Sequence, residues 1–487
     1  MSNNVAVVSF VDLIFHHALA QPEKPAIILA DRVVTYDMMA QGILRVADRI
    51  RSLGLPPGTL VCISFDSPIR HMIVGAALFR LGHSMISAPK PDEILPLQLP
   101  IGAFLHDPGA PFLAGQQQFV VGDDWFEGKR WPLRASPPQG FADDQMICYV
   151  AVSSGTTGRP KAISYTVKAF QLWVMNYYST LGIGTWERLL LLIGLNSSWG
   201  YTTAAHALFS GRTALFADTA RGSLQMLAVY GADAMAATSN QLRELVREQQ
   251  RVSVPTHTLR MVAMGGGLLS RAMITEARAA LCSSIVNILG STEAGATAFA
   301  KTDQLTAIEG ATGFVAPWAE VEIVDERDCA LPAGSDGILR IRATCQGAPY
   351  PPERADTNPS FRDGWFYPGD RGQITRDGLL IMNGRTSDVI NVGGLKLAPD
   401  LIEEILCQHP AVIEAAAFGS LEEGGIEEIS VALVVRSPVV ATQVIHWSAE
   451  QGIPVSRVFV LDEIPKGSAG KISRDLVKKK LSELRHP

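Results

Sequence analysis

The feature that most constrains the fold is an alternation of two kinds of segment between Pro25 and Phe216. Short apolar runs such as AIIL, LVCISF and LLLLIGL alternate with longer helix-like segments such as MMAQGILRVADRIRSLG. This alternation is typical of βα units, in which helices cover parallel strands. A second stretch of the same kind runs from about Leu224 to Phe299. The sequence therefore predicts an α/β protein.

The pattern changes toward the C-terminus. Residues 313–382 consist of short strand-like runs joined by turns, which is typical of antiparallel structure and predicts a β-rich subdomain. Beyond Gly384, the segments DLIEEILCQ and VIHWSAEQG predict helices on either side of two strands, hence a compact α+β unit. About 100 residues suffice for an independent domain. We therefore predict a large N-terminal domain over residues 1–386 and a small C-terminal domain over residues 387–487.

Composition and charge exclude several classes of protein. The 487 residues are 47% hydrophobic and 18% charged, which excludes a chain that is disordered throughout. A net charge of -6 gives no electrostatic reason to bind nucleic acid or anionic lipid. The six cysteines form no C-x-x-C pair, and no apolar run approaches the roughly 18 residues that span a bilayer. We expect a cytoplasmic protein with reduced thiols, without a nucleic-acid partner or a membrane span.

The N-terminal segment is apolar and ends in small residues, as a signal peptide does. No Lys or Arg precedes the apolar stretch, and an aspartate interrupts it. Phe10, Leu13, Ile14 and His17 recur at helical spacing. We therefore predict an amphipathic helix packed on the body through that face.

A loop rich in hydroxyls follows the strand-like segment MICYVAV. The segment SSGTTGRPK begins at Ser153 and places four hydroxyls and two glycines within six residues. That composition suits wrapping phosphate oxygens, and it equally suits a flexible surface loop. The order differs from the Walker A motif, so a P-loop NTPase is not implied.

This segment closely resembles the phosphate loop of the adenylate-forming superfamily, which includes acyl-CoA synthetases, adenylation domains of peptide synthetases and luciferases. The resemblance implies that ATP is bound by the following residues: Ser153, Ser154, Gly155, Thr156, Thr157, Gly158 and Lys161. Other motifs of the family recur in the expected order along nearly the whole chain.

Two of these motifs concern the acid and the metal. Residues 265–267 (Gly265, Gly266 and Gly267), followed by Ser270, are similar to the strand and turn that line the family's acyl pocket. Gly290, Ser291, Thr292 and Glu293 match the motif G-x-T-E, which implies that Thr292 contacts phosphate and Glu293 holds magnesium. A hard cation on ATP prefers one or two carboxylates plus phosphate oxygens. Taken alone, Thr292 and Glu293 also fit the start of a helix.

The remaining motifs concern the ribose and the small domain. Asp370 in Tyr-Pro-Gly-Asp resembles the residue that accepts hydrogen bonds from the ribose hydroxyls, and Arg385 matches the Gly-Arg before the hinge, implying contact with ribose or phosphate. Gly394 and Lys396 lie in a segment that looks like the loop presented during thioester formation. Lys471 matches the lysine of the C-terminal motif P-[KR]-x-x-x-G-K, which implies a role in adenylation.

The resemblance implies a two-step reaction and a mobile small C-terminal domain. A carboxylate attacks the α-phosphate of ATP, pyrophosphate leaves, and Lys471 with Mg²⁺ stabilises the charge that develops. The small domain then turns about a hinge at Ser387, and a thiol attacks the acyl-adenylate. The implied cofactors are ATP, Mg²⁺ and CoA or a carrier-protein phosphopantetheine, and the implied partners are a small carboxylic acid and possibly a carrier protein.

Three residues depart from the family's pattern. Ser387 stands where the hinge usually has Asp or Lys, and Leu289 stands where an aromatic residue commonly stacks on adenine. Lys396 replaces a frequent Arg and lacks its bidentate geometry. These departures keep open a degenerate, non-catalytic adenylate-binding protein.

The substrate is indicated by the segment LNSSWGY, which falls where the family builds one wall of the acyl pocket. We predict that Ser198, Trp199 and Gly200 line it. Ser198 stands near the place where amino-acid-activating domains carry an aspartate, so an uncharged acyl or aryl acid fits better than an amino acid, as in fatty acid or aromatic acid metabolism. Trp199 and Tyr201 also fit ordinary core positions, and His206 is interpreted as a helix residue without a catalytic role.

An acyl- or aryl-CoA ligase is the leading hypothesis. A stand-alone adenylation enzyme that loads a carrier protein is the first alternative, and the non-catalytic binder is the second.

Overall fold

The structure is a computed structural model, and it describes most of the chain. The described residues are 11–111, 113–133, 140–153, 161–180, 186–267, 271–305, 308, 310–352, 358–385, 390–392, 395–397, 399–421, 427–437, 441–466 and 472–485.

Eleven α-helices lie within these residues: α1 Val11–Ala20, α2 Tyr36–Ser52, α3 Pro68–Arg80, α4 Val167–Thr180, α5 Ser198–Phe209, α6 Ala220–Tyr230, α7 Ser239–Val252, α8 Arg271–Ala280, α9 Pro399–Leu406, α10 Ala441–Glu450 and α11 Arg474–Arg485. The strands are β1 Pro25–Ile28, β2 Val33–Thr35, β3 Leu60–Ser64, β4 Ser84–Ser87, β5 Ile101–His106, β6 Gln118–Val120, β7 Ile147–Ser153, β8 Lys161–Thr166, β9 Arg188–Leu191, β10 Thr213–Phe216, β11 Ala234–Thr238, β12 Met261–Gly265, β13 Ile285–Ser291, β14 Gly295–Lys301, β15 Ala311–Val315, β16 Ala319–Val324, β17 Gly337–Ala343, β18 Ala348–Pro349, β19 Phe361–Arg362, β20 Trp365–Phe366, β21 Asp370–Ile374, β22 Leu379–Arg385, β23 Ile390–Val392, β24 Leu395–Leu397, β25 Val412–Leu421, β26 Glu427–Val435 and β27 Val455–Val460.

Two large sheets form the body, and both are mixed. The smaller has the strand order β18-β8-β7-β4-β3-β5-β6, and it is parallel from β7 to β6. The larger runs β19-β20-β17-β21-β22-β15-β14-β13-β12-β11-β9-β10-β1-β2, with β16 on β17. Its strands are parallel from β13 through β12, β11, β9 and β10 to β1. The α/β fold predicted from the alternating pattern is confirmed.

The predicted antiparallel segment is also present, but it is not a separate sheet. Strand β14 pairs with β13 in a hairpin, and β15, β22, β21 and β17 continue from it in antiparallel pairs. The β-rich part therefore extends the same sheet that carries the parallel strands. The turn after β13 lies where the parallel part of the sheet ends and the antiparallel part begins.

The N-terminal helix packs on the body, but through a different face from the predicted one. Its buried residues are Val11, Ile14, Phe15 and Ala18, whereas Leu13 is 41% exposed. The prediction for Leu13 is wrong because the buried stripe is displaced by one residue, and Phe10 lies outside the described residues. His17 is half-buried, and its Nε2 lies 2.9 Å from the carbonyl oxygen of Phe209.

The C-terminal residues have hydrophobic clusters of their own. Strands β25, β26 and β27 form a three-stranded sheet, and β23 pairs with β24. The two apolar clusters on this sheet contain only residues from Ile390 onward. The predicted boundary at residue 386 falls in 386–389, outside the described residues, and it stays a prediction.

None of the helices in the described part of the chain combines the length and the apolar character that a bilayer crossing requires.

Candidate active site

The carboxyl ends of the neighbouring parallel strands β11, β12 and β13 meet at one edge of the larger sheet. Gly265, the last residue of β12, pairs with Thr238 at the end of β11 and with Ile288 in β13. Ligands bind outside the carboxyl ends of strands in open α/β sheets. We call this edge, together with the first turn of α5 and the turn after β13, the crevice.

The first turn of α5 contributes one wall of the crevice. Ser197 caps the helix, because its Oγ accepts a hydrogen bond from Gly200 N at 3.0 Å. Ser198 is thereby fixed at the first helical position and is buried. Its Oγ lies 3.3 Å from Thr292 Oγ1, a hydrogen bond in which either hydroxyl can donate. A residue predicted to line the acyl pocket therefore contacts the residue predicted to contact phosphate.

The indole of Trp199 lies against the end of β12. A Cβ placed on Gly265 would lie 3.0 Å from Trp199 Cη2 and 2.8 Å from the carbonyl oxygen of Ile288. Gly265 is therefore required by a close approach of the indole and the neighbouring strand. The structure therefore brings Trp199 and Gly265 together, and their role in binding the acid stays a prediction.

The other predicted pocket glycines have identifiable structural reasons. Gly266 has φ +78°, a left-handed conformation that favours glycine. A Cβ on Gly267 would lie 2.6 Å from Ser239 Oγ, and one on Gly200 would collide with the carbonyl of Gly194. Gly200 and Gly267 thus let chain segments approach closely around the crevice, and Gly266 supplies the backbone turn. Ser270 lies outside the described residues.

Thr292 and Glu293 lie in the turn between β13 and β14. Ser291 Oγ accepts from Ala294 N at 3.1 Å, and the carbonyl oxygen of Glu293 accepts from Gly347 N at 2.8 Å. Gly290 follows a register shift, and a Cβ there would lie 2.7 Å from the Gly295 carbonyl oxygen. The alternative interpretation of Thr292 and Glu293 as a helix start is therefore wrong, because they connect two antiparallel strands.

The hydroxyl-rich segment lies between β7 and β8, which pair as antiparallel neighbours in the smaller sheet. Ser153, at the end of β7, pairs directly with Lys161, at the start of β8. Lys161 is half-buried. The intervening residues, Ser154, Gly155, Thr156, Thr157 and Gly158 among them, lie outside the described residues.

The two predicted ribose contacts lie opposite each other. Asp370 opens β21 and pairs with Arg385 at the end of β22 in the antiparallel ladder. Gly369, immediately before Asp370, has φ +81° and lies at the bend that precedes the strand. The backbone thus places these two positions on adjacent strands.

The predicted residues of the small domain are described only in part. Lys396 lies in β24 and pairs with Asn391, while Gly394 lies outside the described residues. Lys471 and Ser387 also lie outside them. Lys466 and Ile472 form an antiparallel bridge, so the backbone is fixed on either side of Lys471.

Three residues that the sequence left ambiguous have clear positions. Tyr201 is 2% exposed and stacks on Tyr149 at a centroid distance of 5.3 Å, so it belongs to the core. His206 is buried and its Nδ1 donates to the carbonyl oxygen of Val174 at 3.1 Å. Burial, assisted by the charge of Arg212, lowers the pKa of His206 to about 4. Leu289 packs on the apolar cluster that contains Phe366 and Leu380.

The crevice fits a magnesium ion that is held mainly by nucleotide oxygens. Glu293 is partly exposed beside Thr292, and one carboxylate plus phosphate oxygens satisfies the preference of Mg²⁺. Among the residues that the structure describes, no group of three or more His, Cys, Asp or Glu side chains could hold a metal by itself. Glu293 is therefore suited to a metal that arrives with ATP.

Sequence reasoning missed Thr238, which ends β11 beside the glycine segment. Its Oγ1 accepts from Gln241 N at 3.3 Å, and Gln241 Oε1 accepts from Thr238 N at 2.9 Å. Gln241 Nε2 also donates to the carbonyl oxygen of Leu192 at 2.6 Å. The two contacts between Thr238 and Gln241 form a capping box at the start of α7. The contact of Gln241 with Leu192 ties this helix start to the residue that follows β9. The spacing Thr-x-x-Gln after a strand is the signal that could have found it.

Comparisons with known proteins show what this chain is similar to. Residues 109–350 match the family model described as AMP-binding enzyme. The chain is 26% identical to the fatty acid–[acyl-carrier-protein] ligase ScoC of Streptomyces coeruleorubidus, over 94% of this chain and 93% of that protein. It is 24% identical to the 3-hydroxybenzoate–CoA ligase of Aromatoleum sp. (strain CIB), over 93% and 92%.

Among solved structures, the O-succinylbenzoate coenzyme A synthetase (MenE) of Bacillus subtilis in complex with ATP and a magnesium ion has the same fold. The TM-score is 0.83 at 21% identity, and the match covers 96% of this chain and 99% of that one.

Proposed function

Since this chain belongs to the adenylate-forming superfamily through its AMP-binding enzyme domain, we propose that it activates a carboxylic acid with ATP and transfers the acyl group to the thiol of CoA. The acid is an uncharged acyl or aryl acid. The first step releases pyrophosphate and forms an acyl-adenylate, and the second releases AMP.

The observation that carries this proposal is the hydrogen bond between Ser198 and Thr292 at 3.3 Å. It joins the proposed wall of the acid pocket to the turn that carries the proposed phosphate and metal contacts. Reacting groups held side by side convert a bimolecular step into an effectively unimolecular one. A carboxylate bound at Ser198 and an α-phosphate bound at Thr292 would be neighbours.

The residues at this junction support the proposal of an uncharged acid. Ser198, Trp199 and Gly265 carry no charge, and Ser198 is buried. An ammonium group placed among these three residues would lose hydration without gaining a carboxylate partner from them, and such burial is costly. The indole of Trp199, which lies against Gly265, offers an apolar surface to an acyl chain or a ring.

Each proposed catalytic group acts on the charge that develops during adenylation. Thr292 donates a hydrogen bond to a phosphate oxygen, and Lys471 neutralises the phosphoryl oxygens as pyrophosphate leaves. A magnesium ion held by Glu293 and phosphate oxygens would withdraw electron density from the same phosphate. Asp370 accepts hydrogen bonds from ribose hydroxyls, and Ser153, Lys161 and the loop between them contact phosphate.

Loading of a carrier-protein phosphopantetheine is the second candidate, and one observation favours it. The relative ScoC, which is matched over 94% of this chain, is described as a ligase that acts on an acyl-carrier protein. The thiol is chemically the same in both cases, because CoA and carrier proteins present a phosphopantetheine arm. Whether the enzyme uses CoA or a carrier protein depends on the surface that binds the part of the acceptor beyond the phosphopantetheine arm.

One experiment tests the function and separates the acceptors. The protein is incubated with ATP, Mg²⁺ and a panel of fatty, aryl and amino acids, and pyrophosphate release is measured. CoA or a phosphopantetheinylated carrier protein is then added, and thioester is measured by mass spectrometry. We expect release with an uncharged acid and thioester with CoA. Thioester only on the carrier protein would favour the second candidate, and no release with any acid would favour a non-catalytic adenylate binder.

The proposal includes a cytoplasmic location. All six cysteines are free, and four of them are buried. Free thiols are the usual state in a reducing compartment.

A further inference from the structure

We propose that Glu414 is a positioning residue that couples docking of the C-terminal part of the chain on helix α7 to placement of the segment that carries Lys471. The inference rests on the proposed function, because it assigns Lys471 to the adenylation step. Glu414 itself touches neither the crevice nor any proposed substrate contact.

One carboxylate oxygen of Glu414 joins two cations from distant parts of the chain. Glu414 Oε1 lies 3.5 Å from Arg243 Nη1 and 3.2 Å from Lys466 Nζ. The side chains of Arg243 and Glu414 are only 17% and 12% exposed. Within the described residues this buried oxygen has no partner with hydrogen-bond geometry, so it is held by charge alone.

The three residues come from different structural elements. Arg243 lies on α7, which begins at the crevice through the capping box of Thr238. Glu414 lies near the start of β25, and Lys466 precedes the segment that carries Lys471. Contact between Arg243 and Glu414 therefore requires β25 to be docked on α7, whereas contact between Glu414 and Lys466 lies within the C-terminal part.

Backbone contacts join the described residues on either side of Lys471. Lys466 forms an antiparallel bridge with Ile472, and Ser473 N donates to the carbonyl oxygen of Pro465 at 3.1 Å. The ion pair of Lys466 thus acts on the residue at the base of this segment. Movement of Lys466 relative to α7 would move the residues that follow it.

A second anchor holds the other side of the same segment. Arg474 Nη2 lies 2.8 Å from Glu403 Oε1, and Arg474 Nε donates to the carbonyl oxygen of Ala417 at 3.0 Å. Glu403 Oε1 also accepts from Ala417 N at 2.9 Å. The residues on both sides of Lys471 therefore contact β25. Of these contacts, the one between Lys466 and Glu414 is linked to α7, because Glu414 also pairs with Arg243.

The energetic consequence follows from burial. A buried carboxylate between two cations is stabilised while both remain, and removing a member leaves uncompensated charge. Neutralising Glu414 would leave Arg243 and Lys466 facing each other with like charges. Of these two contacts of Glu414, turning the small domain away from α7 breaks the one with Arg243 and keeps the one with Lys466. Glu414 therefore favours the docked arrangement, which we assign to the adenylation step.

The test uses Arg243→Gln, Glu414→Gln and Lys466→Gln in the full chain. At saturating ATP, we expect the kcat for pyrophosphate release to fall by about 10²-fold in Glu414→Gln, since small misplacement of a reacting group has that effect. The KM for ATP should change much less. Thioester formation from supplied acyl-adenylate should stay within about twofold of the wild type, because that step does not use Lys471.

A double-mutant cycle tests the coupling itself. Arg243 and Lys466 share one oxygen of Glu414, so their substitutions should be non-additive in the wild-type background. In the Glu414→Gln background neither substitution should lower the rate further, because each then removes one of two like charges that face each other. Additive effects in both backgrounds would overturn the proposal.

A second readout does not depend on activity. Hydrogen exchange of residues 239–252 and 412–421 should become faster in Arg243→Gln, because docking on α7 is weakened. Arg474→Gln, which removes the other anchor, should leave exchange in residues 239–252 unchanged. The matched control is Arg251→Gln on the same helix, which removes an 80% exposed arginine that pairs with Glu248 and should change neither exchange nor pyrophosphate release.

The outcomes separate this inference from the proposed function. If no acid supports pyrophosphate release by the wild type, the proposed function fails, and the exchange experiment still tests docking. If the wild type is active but Glu414→Gln keeps both its adenylation rate and its exchange pattern, the role of Glu414 is overturned. A melting temperature that falls equally in Glu414→Gln and Arg474→Gln, with both half-reactions lost equally, would reduce Glu414 to a structural residue and would also overturn it.

Discussion

Ser198 Oγ and Thr292 Oγ1 lie 3.3 Å apart although the residues are separated by 94 positions. The contact joins the capped start of α5 to the turn at which the sheet changes from parallel to antiparallel. The parallel strands supply the open crevice, and the hairpin that follows supplies a fixed turn facing it. The acid and phosphate positions of the proposed reaction therefore depend on the same packing.

We expect Thr292→Val to lower the rate of pyrophosphate release by about 10²–10³-fold, the usual effect of removing one oriented donor from a developing oxyanion. Valine keeps the branched shape of threonine and replaces the hydroxyl with a methyl group, which cannot donate a hydrogen bond. Ser198→Ala removes the other partner of the hydrogen bond and should lower the rate by less than about tenfold, because a neutral hydrogen bond contributes about 1 kcal/mol. Rates are measured by a coupled pyrophosphate assay. Equal losses in both variants would contradict the assignment of Thr292 to phosphate.

We expect Glu293→Gln to move the magnesium requirement to higher concentration. The substitution keeps the size of the side chain and removes the negative charge that Mg²⁺ prefers. A magnesium titration of pyrophosphate release at fixed ATP gives the half-saturating concentration. Glu322→Gln is the control, since Glu322 pairs with Arg340 on β16 and β17. Unaltered magnesium dependence in Glu293→Gln would exclude Glu293 as a ligand.

Local patterns predicted the elements of this fold well. The alternation of apolar runs and helix-like segments identified the parallel strands, because each βα unit is encoded within a short stretch of chain. The hydroxyl-rich segment begins at Ser153, the last residue of β7, as the strand-like run before it indicated. Leu13 was misplaced because two helical stripes one residue apart are both apolar in α1.

Contacts between distant segments were not predictable from these patterns. The hydrogen bond between Ser198 and Thr292 depends on where α5 is placed by β9 and its neighbours. The ion pair of Arg243 with Glu414 depends on docking of β25 on α7, and neither residue belongs to a motif. The backbone position of Arg385 opposite Asp370 is set by strand register, which a motif spacing does not specify.

We expect the melting temperature to fall as pH is lowered from about 6.5 toward 4, partly because of His206. Burial lowers the pKa of His206 to about 4, so the folded state keeps the ring neutral while the unfolded chain binds a proton below about pH 6.5. Stability from this group is complete above the unfolded pKa and is lost as pH falls through the folded pKa, at a slope of up to about 1.4 kcal/mol per pH unit.

The variant His206→Asn isolates this contribution. Asparagine retains a donor for the Val174 carbonyl and does not titrate, so the fall of melting temperature between pH 7 and pH 5 should be smaller than in the wild type. His446→Asn, at a side chain that is 83% exposed, is the control. An identical pH dependence in His206→Asn and the wild type would contradict the burial of a neutral ring.

We expect Lys471→Ala to abolish adenylate formation while thioester formation from supplied acyl-adenylate stays largely intact. The ammonium is needed only where charge builds up on the phosphoryl oxygens. Pyrophosphate release and single-turnover thioester formation are measured separately on the same preparation. Equal loss of both half-reactions would show that Lys471 is not specific to the first step.

Gly394→Leu should have the opposite defect, if the segment 393–396 lines the thiol's path in the second step. The variant should release pyrophosphate in a single turnover and accumulate bound acyl-adenylate, yet form thioester slowly with CoA or a carrier protein. A side chain at this position would obstruct the pantetheine arm without touching ATP. Val392 pairs with Leu395 across only two intervening residues, a hairpin length at which glycine is favoured for its positive φ.

That preference creates a competing structural explanation, because leucine could disrupt the hairpin itself. The melting temperature of Gly394→Leu separates the two explanations, and Gly394→Ala provides a smaller side chain with a similar backbone penalty. If the path is obstructed, Gly394→Ala should form thioester faster than Gly394→Leu at an equal melting temperature. If Gly394→Leu is folded but loses adenylation as severely as thioester formation, the alternation of the small domain between two steps is wrong for this protein.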